Sequence, residues 1–352
     1  MAETVELARK MDETAGRAIP LLAICIPTHN RRKALEECLE SVLPQAEALG
    51  VGVCVSDNGS SDGTWQVLET LKLQYPWMQI MSHTRDIGFR ENLTGAVLSS
   101  RAHYVWPIGD KLALMPGALE FVVAELDRLH PDAVVVNYYP GRGVSTVEKV
   151  YSAPQICLTE LGWHTDLLGS TVLPRQAFVD VLHVQPLSRD FPQVVALFSY
   201  LASLRAPQVV AAGRALIQGG KGVDPGTHYW DGSALRLWGR NWYDAVMSLP
   251  ALYSTNDKLK MVRSHSKRAG LLDLKGLMRL RAQGELTLQR LNAEQVPLRA
   301  AISAPWWSAM IVSVAPRWIL RAVVSVHPRL VLRAIRDSVR LPRGQQAHWR
   351  AH

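Results

Sequence analysis

The chain has 352 residues, of which 48% are hydrophobic and 20% are charged, and this composition excludes an intrinsically disordered protein. The formal net charge is +8, but nine arginines and a single acidic residue, Asp337, lie between residues 297 and 352, so this segment holds the whole of the excess. The rest of the chain is neutral overall, which argues against a nucleic-acid-binding protein.

The cysteines and the N-terminal residues favour a cytoplasmic protein. Cys25, Cys38, Cys54 and Cys157 lack the spacing of a metal site, and we expect them to be reduced residues that pack inside the fold. Residues 1–19 mix acidic and basic side chains and contain no apolar stretch of the kind that a signal peptide requires. We therefore interpret them as an N-terminal extension.

Apolar runs of strand length alternate with helical periods between residues 20 and 140. The runs are LLAICI, VGVCVS, MQIMSH and HYVWPI. Short buried strands joined by helices predict right-handed βαβ units, and hence an α/β fold with a mainly parallel sheet flanked by helices. Residues 141–255 follow a looser pattern with many glycines and prolines, and we interpret them as a second half of the same domain. Residues 256–352 are predicted to form a helical, basic C-terminal extension.

Each predicted strand ends in polar residues, in the segments PTHNR, SDNGSSDGT, HTRDIG and GDK. Ligands of parallel α/β sheets bind at the carboxyl ends of the strands, so these residues are candidates for a binding site. Thr28 and Asn30 carry short polar groups suited to the edge of a base or ribose, and Asp57 can accept hydrogen bonds from either. Turn and helix-cap chemistry is the alternative for these residues and for Asn58 and Asp62.

Four segments, taken together and in order, resemble the successive signatures of family 2 glycosyltransferases, which have the GT-A fold: AICIPTHNRRKALEECLESVL, VCVSDNGSSDGT, RDIGFRENLTGA and WPIGDKLALMPGAL. The resemblance covers roughly residues 20–125. Beyond residue 140, the general layout is similar to that of the abequosyltransferase-like members that build bacterial surface polysaccharides. The resemblance implies transfer of a sugar from a nucleotide diphosphate-sugar donor to a glycan or a polyprenyl-linked acceptor.

The resemblance also assigns residues to a nucleotide-sugar site: Pro27, Thr28, Asn30, Asp57, Asn58, Arg85, Gly88, Asp110 and Lys111. The first three would line the base pocket, and Asp57 would contact the nucleoside. Arg85 would contact a phosphate or the nucleoside, with a solvated surface arginine as the alternative. Gly88 would allow close approach of the diphosphate, and Asn92 would hold the loop.

The turn after the fourth strand departs from the family pattern. Family members carry two or three acids there, as in GDDDxLxPGAL, and these acids hold a divalent cation that bridges the donor's diphosphate. Asp110 matches the first acid, whereas Lys111 and Leu112 replace the second and third. Three alternatives stay open: Asp110 alone binds Mg²⁺ or Mn²⁺, the ammonium of Lys111 replaces the metal, or the site has lost catalysis.

Transfer with inversion requires a base that removes the proton of the acceptor hydroxyl. We expect this base in the second half of the domain, where Asp190 precedes an apolar helical run and is the first candidate. Helix capping is the alternative for Asp190. Asp166, with His164 nearby, is the second candidate. The sequence contains no GxSxG, Walker-type or HExxH motif.

Residues 300–340 have the composition of a segment that binds a membrane surface. An uncharged run with two tryptophans spans residues 300–316. After it, arginines recur among apolar residues at Arg317, Arg321, Arg329, Arg333, Arg336 and Arg340. This pattern predicts peripheral binding to an anionic membrane on its inner face. The alternatives are helices packed on the domain with their arginines in water, or a true span, against which Pro305 and Pro316 argue.

Two other functions remain alternatives at the level of sequence. The shortened acidic motif is compatible with a non-catalytic binding or scaffold subunit of a polysaccharide assembly complex, which keeps the nucleotide fold. A sugar nucleotidyltransferase shares the alternating architecture, but the glycine-rich N-terminal loop of those enzymes is absent from this sequence.

Overall fold

One sheet organises the part of the chain that the computed structural model describes, which is residues 19–139, 147–184, 189–220 and 233–325. Its nine strands within those residues are β1 Leu22–Thr28, β2 Gly52–Asp57, β3 Gln79–Ser82, β4 Tyr104–Pro107, β5 Leu112–Leu114, β6 Ala133–Tyr139, β7 Lys149–Tyr151, β8 Thr171–Pro174 and β9 Val209–Gly219. Their order is β3-β2-β1-β4-β8-β6-β9-β5, and β7 also pairs with β9.

The first four strands form the parallel half of the sheet. β1 pairs in parallel with β2 on one side and with β4 on the other, and β3 pairs in parallel with β2. The connecting helices are α1 Arg32–Leu49, α2 Thr64–Gln74 and α3 Phe89–Ser99. The predicted βαβ units are confirmed, and the carboxyl ends of four strands therefore lie at one edge of the sheet.

The central strand β1 is buried on both faces, which explains its unbroken apolar sequence. Ile24 and Ile26 belong to the same hydrophobic cluster as Leu39 of α1. Cys25, between them, belongs to the cluster on the other face, together with Leu93 and Val97 of α3. The four cysteines are free and buried, as expected.

The other half of the sheet is mixed in direction. β8 lies antiparallel between β4 and β6, whereas β6 and β9 are parallel. β5 and β7 pair antiparallel with β9. Four helices belong to this part of the chain: α4 Ala118–Leu129, α5 Pro154–Leu161, α6 Arg175–Val184 and α7 Pro192–Ser203. Strands from residues 20–140 and from residues 141–255 thus share one sheet.

The rest of the described chain is helical. A π-helix, Arg236–Asn241, is followed by α8 Trp242–Met247, α9 Thr255–Ala269, α10 Leu274–Gln283, α11 Leu288–Ala293, α12 Gln295–Ala301, α13 Trp306–Val314 and α14 Arg317–Ser325. The helices between residues 256 and 295 bury one face. Met261, Val262 and Leu277 are fully buried in the larger hydrophobic cluster. The helical extension is therefore packed onto the core.

The last two described helices bend sharply at Pro316. Within the described residues, no single helix is long and apolar enough to cross a membrane, and Trp306–Val314 with Arg317–Val324 meets those criteria only as a pair bent by 111°. Arg317 and Arg321 donate hydrogen bonds to the carbonyls of Gln283 and Ala282 at the end of α10. These two exposed arginines thus satisfy the carboxyl end of a helix, and their contact with a lipid surface stays a prediction.

Several of the sequence predictions concern residues outside the described ranges. They are the N-terminal extension up to residue 18 and the arginines beyond α14, namely Arg329, Arg333, Arg336 and Arg340.

Two glycines in the left-handed region of backbone space differ in their surroundings. Gly50 ends α1 at a φ of 65°, and a Cβ atom there would meet nothing within 4 Å. Gly59 lies in the turn after β2 at a φ of 71°, and a Cβ atom there would lie 2.8 Å from the backbone carbon of Arg85. The turn after β2 and the loop after β3 therefore approach each other as closely as a glycine permits.

This difference predicts unequal effects of two matched substitutions. Gly50→Ala is expected to lower the free energy of unfolding by about 1 kcal/mol through backbone strain alone. Gly59→Ala adds a clash with backbone atoms and is expected to lower it by at least about 2 kcal/mol. Urea unfolding of both variants measures the difference, and equal effects would contradict the close approach of the two loops.

Candidate functional site

The ends of the parallel strands converge on Thr28, the last residue of β1. Thr28 pairs with Asp57 at the end of β2, and its carbonyl accepts the backbone N–H of Asn58 at 2.9 Å. Its hydroxyl donates to Asp110, which follows β4, at 2.9 Å. Thr28, Asp57 and Asp110 are all buried. The polar segments that the sequence analysis selected therefore meet at one edge of the sheet.

Asp110 is held by two donors. Its Oδ2 accepts the Thr28 hydroxyl, and its Oδ1 accepts Nη1 of Arg31 at 3.0 Å, in an ion pair. The carboxyl side chain is only 4% exposed. Burial raises the pKa of Asp110, and the nearby guanidinium of Arg31, the Thr28 hydroxyl and the charge of Lys111 offset part of that increase.

The two other positions of the acidic motif do not supply metal ligands. Leu112 begins β5, and its side chain is buried against Gly169. Lys111 lies beside Asp110 and lowers its pKa, while its carbonyl accepts the N–H of Gly220. Among the described residues, no group of three or more His, Cys, Asp or Glu side chains is arranged to hold a metal ion. The donor set at Asp110 therefore does not fit the divalent cation that the family pattern implies.

Asp57 accepts its hydrogen bonds from serines. Its Oδ1 accepts the backbone N–H of Ser60 at 3.2 Å and also the Ser60 hydroxyl, and its Oδ2 accepts the Ser82 hydroxyl at 3.4 Å. The Asp57 carboxylate is thus satisfied by its own turn and by the end of β3. Its Oδ2 has the weaker of these contacts and is the oxygen better placed to accept a further donor.

Asn58 holds the loop after β3. Its side-chain Nδ2 donates to Asp86 Oδ1 at 2.5 Å, and its Oδ1 accepts the N–H of Ile87 at 2.8 Å. The Asn58 carbonyl accepts Nδ1 of His29 at 2.8 Å. Since these bonds occupy both ends of its amide, Asn58 positions the loop, and the prediction that it binds the nucleotide is not favoured.

The same loop carries the two predicted diphosphate contacts. Arg85 is exposed, and its backbone lies against Gly59. Gly88 has a φ of 93° and precedes the first turn of α3, and its N–H donates to Asp86 Oδ1 at 2.8 Å. The hydrogen bond to Gly88 lowers the pKa of Asp86, and the bond from Asn58 and the charges of His29 and Arg189 lower it further.

Asn92 differs from its predicted role. It is buried in α3 and donates from Nδ2 to the carbonyl of Thr28 at 3.2 Å, while its Oδ1 accepts the hydroxyl of Ser56 at 2.6 Å. It therefore joins α3 to β1 and β2 rather than holding the loop at residues 83–88. Its energetic role is the satisfaction of buried polar groups.

The base-pocket candidates lie on β1 and directly after it. Pro27 is buried within β1, so the strand does not stop at the proline, although its pairing with β4 has already ended at Cys25. Asn30 is exposed, with a φ of 51°, and its Oδ1 accepts the N–H of Ser61 at 2.8 Å. Asn30 thereby joins the turn after β1 to the turn after β2.

Asp190 lies two residues before the start of α7. Its neighbour Arg189 is close enough to Asp86 to contribute to the lowering of that residue's pKa. Asp190 is partly exposed and accepts Nδ2 of Asn241, the last residue of the π-helix, at 2.8 Å. The alternative of helix capping is not supported, since the N-cap residue of α7 is Phe191 and α7 has no side-chain cap.

Asp166, the second candidate base, belongs to a buried hydrogen-bonded pair. Its Oδ2 accepts Nε2 of His265 at 3.1 Å, and the two side chains are 2% and 1% exposed. The His265 ring stacks on Trp238, with 5.0 Å between ring centroids. His164 is also buried and donates from Nε2 to the carbonyl of Val136 at 2.7 Å. An acceptor hydroxyl cannot reach a carboxylate enclosed in this way, which argues against Asp166 as the base.

Sequence reasoning missed several contacts of this region. Arg31, Asn241 and His265 were not singled out, because their partners lie 79, 51 and 99 residues away in the sequence. Asp86 stands two residues before Gly88, a pattern common in tight loops, and this is the signal that would have identified it.

Comparison with known sequences agrees with the resemblance. Residues 23–179 match the family model for Glycosyl transferase family 2. The chain is 32% identical over 109 residues to abequosyltransferase RfbV of Salmonella typhimurium, covering 30% of this chain and 33% of that protein. It is 30% identical over 117 residues to a chondroitin synthase of Escherichia coli, covering 33% of this chain and 17% of that protein. The chain spans a third or less of the length of these two curated relatives.

Solved structures agree on the fold. The crystal structure of S. aureus TarS 1–349 superimposes with a TM-score of 0.55 at 14% identity, over 90% of this chain and 91% of that one. TarS 1–349 in complex with UDP-GlcNAc gives a TM-score of 0.54 at 15% identity, over 90% of this chain and 92% of that one. The predicted GT-A fold is confirmed. The match to the glycosyltransferase family 2 model, residues 23–179, includes the strands and turns that form this site.

Proposed function

We propose that the protein transfers a sugar, with inversion, from a nucleoside diphosphate-sugar to a hydroxyl of a glycan or lipid-linked acceptor in bacterial surface polysaccharide synthesis. The observation that carries the proposal is the convergence of Thr28, Asp57 and Asp110 at the carboxyl ends of adjacent strands. The names of the relatives support the substrate class, since RfbV is an abequosyltransferase and TarS was crystallised with UDP-GlcNAc.

The sugar donor would bind to residues at the carboxyl ends of the parallel strands. Asp57 Oδ2 would accept a hydrogen bond from the nucleoside, while Thr28 and Asn30 would line the base pocket. Arg85 is exposed on the loop after β3, and its guanidinium would contact a phosphate of the donor. Gly88 leaves the chain free of a side chain at the start of α3, where backbone N–H groups favour an anion.

On the acceptor side, Asp190 would act as the base. Its carboxylate would take the proton of the acceptor hydroxyl as the oxygen forms a bond to the anomeric carbon, and the bond from that carbon to the diphosphate oxygen would break. The nucleoside diphosphate leaves with the electron pair of the broken bond. Asn241 donates to one carboxylate oxygen of Asp190 at 2.8 Å, which leaves the other oxygen to meet the hydroxyl.

Purified protein incubated with a panel of UDP-, GDP-, CDP- and dTDP-sugars tests this function. We expect release of one nucleoside diphosphate to require Asp190: Asp190→Asn should lower kcat by roughly 10²- to 10⁴-fold, with donor binding unchanged, because only the base is lost. Asp127→Asn, at an exposed position on α4, is the matched control.

The free energies of unfolding of two variants distinguish the two candidate bases. Asp166→Asn breaks the buried pair with His265 and is expected to lower the free energy of unfolding by about 3 kcal/mol, whereas Asp190→Asn should change it by less than about 1 kcal/mol. Wild-type kcat in Asp190→Asn would exclude Asp190 as the base. Absence of turnover with every donor, together with retained nucleotide binding, would favour a scaffold subunit.

Peripheral membrane binding, which a polyprenyl-linked acceptor would require, is proposed for α13 and α14. With Arg317 and Arg321 turned to α10, the two helices present an exposed apolar surface, formed by Trp307, Ile311, Val314, Trp318, Ile319, Val323 and Val324. Trp307 is 67% exposed and Trp318 is 73% exposed. Tryptophans suit the interface of a bilayer, and the arginine-rich sequence after residue 325 would add attraction to anionic lipids.

Vesicle binding tests this surface without removing the helices, whose buried faces belong to the core. The double variant Trp307→Ser/Trp318→Ser is expected to weaken binding to phosphatidylglycerol-containing vesicles by at least about tenfold, because two interfacial anchors are lost. Leu73→Ser is the control, since Leu73 is 84% exposed on α2. Equal binding of the double variant and the control would contradict a role for this surface.

A further inference from the structure

Arg31 occupies the position at Asp110 where the family pattern implies a divalent cation. Its Nη1 lies 3.0 Å from Asp110 Oδ1, and Thr28 donates to the other oxygen at 2.9 Å, so both carboxylate oxygens already have donors. The carboxylate is 4% exposed. A metal ion would have to displace the guanidinium or share an oxygen with it, in a place that is almost closed to water.

The neighbours of Asp110 are also unsuited to a hard cation. Mg²⁺ needs about six oxygen ligands in octahedral geometry, and the motif offers one carboxylate. The second position is Lys111, whose charge lowers the pKa of Asp110, and the third is Leu112, whose side chain is buried in the sheet. Two cationic side chains therefore accompany a single carboxylate, which favours an approaching anion over an approaching metal ion.

Arg31 is also placed to meet an anion. It is the N-cap residue of α1 and lies directly after the turn that ends β1, and its side chain is 33% exposed. In the described part of the chain, its guanidinium makes one hydrogen bond, to Asp110. The guanidinium has five N–H donors in a planar fork, so donors remain for phosphate oxygens while Asp110 fixes its orientation.

We propose that Arg31, oriented by Asp110 and assisted by Lys111, replaces the divalent cation of the family and binds the donor's diphosphate without metal. This inference rests on the proposed function. During transfer, the diphosphate oxygen that keeps the electron pair of the broken bond gains negative charge, and the guanidinium stabilises that charge without giving up a proton. Asp110 is a positioning residue for Arg31 and not a metal ligand.

Nucleotide binding in the presence and absence of metal is the direct test. Calorimetric titration of the full chain with UDP, GDP, CDP and dTDP is carried out in EDTA and again with MgCl₂ or MnCl₂. The Kd of the nucleotide that binds is expected to change by less than about twofold between these conditions, since the protein supplies the cation. A Kd at least about tenfold lower with metal would overturn the inference.

Variants separate Arg31 from its neighbours. Arg31→Gln alone leaves Asp110 buried without its ion-pair partner and risks unfolding, so Arg31→Gln/Asp110→Asn is used, with folding checked by circular dichroism. The double variant is expected to raise the Kd in EDTA by at least about tenfold. Lys33→Gln, which removes one exposed positive charge from the same helix, is the matched control and should leave the Kd unchanged.

A reverse substitution supplies an independent readout. Lys111→Asp restores a second acid to the motif, and we expect nucleotide binding by this variant to become weaker in EDTA and to recover with MnCl₂. Metal independence in Lys111→Asp, or an unchanged Kd in the Arg31 and Asp110 double variant, would overturn the inference while leaving the proposed function intact. Failure of all four nucleotides to bind under any condition would instead overturn the proposed function, and this inference with it.

Discussion

The carboxylate of Asp110, buried under the end of the central strand, is the constraint on which the candidate site depends. An unpaired charge in such a place is strongly unfavourable, so the fold must bring partners to it. Thr28 and Arg31 are those partners. In satisfying the carboxylate they join the end of β1, the start of α1 and the turn after β4.

A second buried pair connects the C-terminal helices to the sheet domain. His265 of α9 donates to Asp166, and Gln193 of α7 donates from Nε2 to the Asp166 carbonyl at 2.9 Å. Trp238 of the π-helix stacks on the histidine ring, and Asn241 of the same π-helix reaches Asp190. The helices after residue 233 therefore contact both carboxylates that are candidates for the base, and are more than an extension of the fold.

Much of the donor half could be predicted from the sequence. The alternation of apolar runs with helical periods identified β1 to β4 and their helices, and the rule that ligands bind at the carboxyl ends of parallel strands selected Thr28, Asp57 and Asp110, which the structure brings together. Local pattern did not identify the short strands β5 and β7 or the mixed half of the sheet, because such strands are stabilised by pairing with distant residues. The sequence pattern also assigned Asn58 to the nucleotide-sugar site. In the structure, the side-chain amide of Asn58 makes hydrogen bonds to Asp86 and Ile87 in the loop after β3.

The sequence by itself determined the resemblance of residues 20–125 to family 2 glycosyltransferases, the parallel order of the first strands and the replacement of two acids by Lys111 and Leu112, since these follow from residue types at fixed spacing along the chain. Only the tertiary structure decided that Arg31 pairs with the carboxylate of Asp110 and that Asp166 is buried against His265. It also decided that Arg317 and Arg321 donate hydrogen bonds to the end of α10. Each of these contacts joins residues 34 to 99 positions apart, and a buried charge or carbonyl finds its partner only when the fold brings distant side chains together.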